Sequence, residues 1–160
     1  MREKYWAYYT GTKYELLYFY EYRSDSYRWL KYTESFLAIV SSTSVAAWAV
    51  WNQLPLLWAV LIAASQVMTA VKQYMPYSKR VSALNELLPR LDAVLNRIDH
   101  DWFRVDKGAL TEEQINDLLF SYKKECTDLA NQHLTGAYFP EREDLRRAAQ
   151  GKAECFFECF

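Results

Sequence analysis

The sequence predicts an all-α protein in which a two-helix transmembrane hairpin is joined to a cytoplasmic helical bundle or hairpin. Three observations lead there. Asp, Glu, Lys and Arg make up 24% of the 160 residues, yet none occurs from Ser35 to Val71. Beyond that window, apolar residues recur at alternating spacings of three and four, the periodicity of a helix face. Nowhere do apolar and polar residues alternate over a stretch long enough to build a sheet.

The first region, 1–34, is rich in tyrosine and has neither Gly nor Pro from Tyr14 to Lys31, so a helix is expected to run from it into the uncharged window. Region 35–74 is expected to hold two spans, about 35–51 and 54–74. A helix rises about 1.5 Å per residue and a hydrocarbon core is about 30 Å thick, so each span needs roughly 17–25 residues. Asn52, Gln53 and Pro55 punctuate the window, the proline suiting the first turn of a second helix. Trp29, Tyr32 and Tyr74 fall at one end of this hairpin and Trp48, Trp51 and Trp58 toward the other, as two interfacial aromatic belts would. Arg23, Arg28 and Lys31 precede the first span, Lys72, Lys79 and Arg80 follow the second, and the connecting turn has no basic residue. Both termini are therefore expected in the cytoplasm. No signal-peptide pattern opens the sequence, so the first span is expected to direct its own insertion. The competing reading, a buried hairpin in a soluble bundle, requires a charged outer face that neither segment has.

The third region, 75–160, reads as cytoplasmic helices. Val81, Leu84, Leu88, Leu91, Leu95, Ile98 and Trp102 form a heptad seam, which Pro89 is expected to kink. "VDKGAL" then makes a turn, and Thr111 to Gln114, "TEEQ", resembles a capping box. Ile115, Leu119, Tyr122, Cys126, Leu129 and His133 repeat the spacing, so the two seams predict an antiparallel helical hairpin. Gly136 is a natural helix stop, and Pro140 is expected in the first turn of a last helix that carries "CFFECF".

Several function classes are set aside at this level. A net charge of −1 gives no electrostatic footprint for DNA. Three cysteines, Cys126, Cys155 and Cys159, form neither an even disulfide set nor a strong metal spacing. His100 lies between Asp99 and Asp101, but His133 belongs near the far end of the opposing helix, so the two histidines are not expected to meet. Phosphate loops, zinc-protease motifs and nucleophile elbows are missing from the sequence. The expectation is a protein that is not an enzyme and has no cofactor or metal. Within the hairpin, Ser41 and Ser44 share one helix face, and Ser65, Gln66 and Thr69 cluster on the other helix. Polar groups at membrane depth must meet protein, each other or water. They are either a packing face, with hydroxyls bonded to their own backbone, or the lining of a narrow uncharged path in an oligomer. The tyrosines before Tyr32, with Arg23 and Arg28, suit either an interfacial belt or the stacking of a nucleotide base.

The layout resembles one family. The tyrosine-rich first helix, the paired segments "FLAIVSSTSVAAWAVW" and "LLWAVLIAASQVMTAV", then "YSKRVSALNELLPRLDAVLNRID" and a second long helix look like the SLATT proteins, over roughly Tyr14 to Ala149. These are two-transmembrane bacterial effectors of nucleotide-signalling conflict systems. The resemblance implies an effector of antiphage defence (abortive infection) in the bacterial inner membrane. Such an effector contacts membrane lipid and homo-oligomerises into a pore, or otherwise depolarises the membrane, when activated. It further implies an operon-encoded sensor or nucleotide-signal-producing partner, such as a cyclic-nucleotide or retron-type complex. The alternative is a membrane-anchored helical scaffold that recruits or regulates a partner protein without conducting.

Overall fold

From Arg2 to Val50 the sequence has no proline and a single glycine, Gly11, and this whole stretch forms one helix, α1, of 49 residues. At about 1.5 Å per residue it is about 74 Å long. The structure is a computed structural model that describes residues 1–50, 55–74 and 77–158, the side chains at 40–50, 55, 57, 58, 72 and 73 excepted. Four further helices follow: α2 (Pro55–Tyr74), α3 (Tyr77–Asp106), α4 (Glu112–Leu134) and α5 (Glu143–Glu158), with no strand among the described residues. The expected all-α class is the observed one.

The long α1 is a spine. Along its first half, α3 and α5 pack against it, α4 packs mainly on α3, and α2 packs on α1 alone. Tyrosine makes this half of α1 a core element. Tyr5, Tyr9, Tyr18 and Tyr22 are buried with Leu16, and a buried tyrosine needs a partner for its hydroxyl. The partners come mostly from α3: Tyr5 donates to the Ile98 carbonyl at 3.0 Å, Tyr9 to Asp99 at 2.9 Å, and the half-buried Tyr20 to Asp92. From α4, Tyr122 donates to Asp101 at 2.7 Å. Neither of the roles expected for these rings, an interfacial belt or an open nucleotide stack, describes their burial.

α3 lies between α1 and α4, so it buries more than one seam. Leu84, Leu88, Leu95 and Ile98 are buried as the heptad pattern predicts, and Leu87, Val94 and Val105 join them because a helix with neighbours on two sides needs a wider apolar stripe. Pro89 does not end the helix. It is exposed, as is Asn85, the residue whose carbonyl loses its usual partner, so water can meet that carbonyl. α4 runs antiparallel to α3, as expected: Tyr122 meets Asp101, Glu125 meets Arg97 and His133 meets Glu86.

Local signals hold where they were read. Thr111 and Gln114 form a reciprocal capping box, with bonds of 2.9 and 3.2 Å. Gly108 (φ 66°) and Gly136 (φ 84°) end α3 and α4 in the left-handed conformation, and at the first of them the amides of Gly108 and Ala109 reach back to Val105 and Arg104. Pro140 precedes the last helix rather than opening it, since α5 starts at Glu143. The end of α5 docks on the spine: Phe157 packs edge-on against Trp6 and Tyr9, at 5.4 and 5.7 Å, and Lys13 sits 4.0 Å above Phe156.

The helix expected to run from the first region into the uncharged window is continuous across positions 34 and 35. One expectation is corrected. Among the described residues, no helix is long and apolar enough to cross a membrane, which overturns the expected multi-pass placement in the bacterial inner membrane with both termini cytoplasmic. In α2 the physical reason is visible, because Ser65, Gln66, Thr69, Lys72 and Gln73 crowd its second half. The serine and threonine cluster of the first expected span lies among the side chains outside the described residues.

Candidate functional site

The part of the molecule that its own fold leaves open is the arm formed by the second half of α1 and α2. Pro55 opens α2 where its fixed φ and missing N–H suit a first turn. Along α2 the less exposed residues are Leu61, Ser65 and Met68, at spacings of four and three, which marks the face toward α1. Of the other described side chains, many are exposed and apolar: Leu56 is 77% exposed, Val60 59%, Ile62 50% and Val67 62%. Ile39 on α1 is likewise exposed at 62%. A wide apolar face of this kind is ordinarily buried against something, and covering one such side chain is worth about 1.5–3 kcal/mol.

The expected polar face is only partly placed. Ser41 and Ser44 lie outside the described side chains. Ser65 donates to the Ile62 carbonyl and Thr69 to the Ser65 carbonyl, each at 2.8 Å, so both hydroxyls are satisfied within their own helix. Gln66 is exposed beside them. Of the aromatic anchors, Trp29, Tyr32 and Tyr74 are exposed, at 51%, 62% and 86%; Trp48, Trp51 and Trp58 lie outside the described side chains.

The expected cytoplasmic seam is brought together. Leu84, Leu88, Leu95, Ile98, Leu119 and Tyr122 are buried, with Leu91 and Leu129 packed against them. These residues form the core of the head that carries the arm. What the sequence reading missed is the tyrosine row of α1 facing Asp92 and Asp99, and Tyr122 of α4 on Asp101. The available signal was the three carboxylates on one helix, in a stretch otherwise apolar at core spacing. Burial, before any charge effect, raises the pKa of Tyr5, Tyr8, Tyr9 and Tyr122, and the bonds to Asp99 and Asp101 add to the shift for Tyr9 and Tyr122.

The candidate chemical groups are dispersed. His100 is exposed, 3.4 Å from Asp101, and Asp99 and Asp101 are already held by Tyr9 and Tyr122. His133 faces Glu86 at 3.2 Å, so the two histidines sit at opposite ends of the α3–α4 pair. Burial raises the pKa of Cys126, away from a reactive thiolate. Among the described residues no cluster of His, Cys, Asp and Glu has the makings of a metal site. Comparison with family models, with curated proteins and with solved structures finds no match to this chain.

Proposed function

We propose that the chain is a non-enzymatic helical interaction scaffold, in which a compact head of α1, α3, α4 and α5 presents an apolar arm that docks first on the arms of further copies and, once assembled, recruits or regulates a partner protein. The observation that carries this reading is the exposed apolar face of α2, far more than the scattered apolar residues an unpartnered surface helix tolerates. With no charge from Ser35 to Val71, the arm has nothing to repel an identical copy, and Ala59, Ala63 and Ala70, exposed on α2, allow close helix approach.

Ile62→Glu combined with Val67→Glu is expected to convert an oligomer to a monomer in sedimentation velocity while leaving helical circular dichroism unchanged, because both positions are exposed. A wild-type chain that is monomeric at tens of micromolar, or an oligomer indifferent to the two charges, sinks the reading.

A second reading rests on the same uncharged run together with the SLATT resemblance: the assembled arm is the working part of an antiphage effector that disturbs a membrane when a nucleotide-signalling partner releases it. Expression in bacteria with a potential-sensitive dye tests it. An unchanged membrane potential under activating conditions counts against it.

A further inference from the structure

We infer that the groove between α1, α3 and α4 binds a small amphiphile with an apolar body and a single anionic head, a fatty-acid-like carboxylate. The cavity has a volume of about 530 Å³. It exists because the three helices do not close on one another. α4 keeps to α3 and touches α1 little. Ala7 and Gly11 on one wall and Ala130 on the other are too short to fill the gap, and Leu87 and Leu91 of α3 also line it. A Cβ placed on Gly11 would meet nothing within 4 Å.

The polar groups on the walls are already used. Thr12 donates its hydroxyl to the Tyr8 carbonyl and Thr127 to the Lys123 carbonyl, each at 2.8 Å, so neither hydroxyl is left for an occupant. Tyr8 and Cys126 stay neutral, since burial raises both pKa values. What remains charged is Lys123 at one end and Glu15 farther along the rim. The Lys123 ammonium lies 5.6 Å from the centre of the Tyr8 ring, and among the described residues no ion pair involves it.

Those two charges fix an orientation. An anionic head is drawn to Lys123 and repelled from Glu15, which directs the tail toward Phe19 and Leu134. Between Tyr8 and Phe19 the groove follows α1 for about 16 Å, room for an alkyl chain of medium length. The cavity volume falls within the range of small-molecule sites, about 300 to 1,000 Å³.

Calorimetric titration of dodecanoate into the full chain tests the site, which is separate from the arm and does not depend on the arm's role. Saturable one-to-one binding is expected, weakened about ten-fold by Lys123→Ala through loss of a charge-assisted contact. Gly11→Phe is expected to abolish binding by filling the groove, without lowering thermal stability, because a helical glycine is replaced over open space. No saturable binding, equal affinity for dodecylamine, or binding that survives Gly11→Phe overturns the inference; the last outcome places the alkyl chain on the arm. A change in sedimentation of the ligand-free chain on Gly11→Phe overturns it as well, by assigning the groove to a second copy.

Discussion

Leu88→Ala is expected to lower stability by about 3–4 kcal/mol, toward the upper part of the range for a buried leucine. Leu88 is fully buried on the helix that packs against both α1 and α4, and Pro89 beside it restricts the backbone that would have to move to close the cavity. Native stability is typically about 5–15 kcal/mol, so this single deletion removes a large share of it. The urea midpoint should fall with an unchanged slope. A loss under about 1 kcal/mol would mean that the site collapses freely and that α3 is not clamped from two sides. Phe120→Ala, at an exposed position of α4 away from the arm, is the control, and its effect should stay within about 0.5 kcal/mol.

Alkaline unfolding is the second large effect. Tyr5, Tyr8, Tyr9 and Tyr122 all have pKa values raised above the ordinary 10.0, first by burial. A phenol whose pKa is raised in the folded state contributes stability that is fully present below its unfolded pKa and is lost as pH rises through its folded one. The chain should therefore be indifferent to these four groups at neutral pH and lose stability progressively above pH 10. Their ionisation should come with unfolding, so tyrosinate absorbance and the loss of helical ellipticity share a steep transition. Ionisation of all 13 tyrosines with helicity intact would show that the row is open to water.

The two effects depend on information of different kinds. Leu88 was legible in the sequence, since it stands in a run at spacings of three and four that only a helix turns to one side. Its burial companions Leu87, Val94 and Val105 were not, because they serve a second neighbour, and the number of neighbours is not written in the period of one helix. The tyrosine row was misplaced for a related reason. A ring with one apolar body and one polar tip suits a bilayer interface as well as a core with a hydroxyl partner, and the partners, Asp92, Asp99 and Ile98, lie about 70 to 90 residues away. The candidate polar face was legible in part. Ser65 and Thr69 do stand one turn apart, and each bonds back to a carbonyl of its own helix.

By itself the sequence determined the helices and their ends: the helical period, the Thr111 capping box, the stops at Gly108 and Gly136, and the start of α2 at Pro55. Each of these is fixed by neighbours within a turn or two, where hydrogen bonding and steric limits act locally. Only the tertiary structure decided that the tyrosines of α1 face inward, that Phe157 closes on Trp6, and that α2 is left with an uncovered apolar face. Those outcomes depend on which surfaces meet across the chain, and apolar burial is non-directional, so many pairings satisfy the same pattern until the helices choose one.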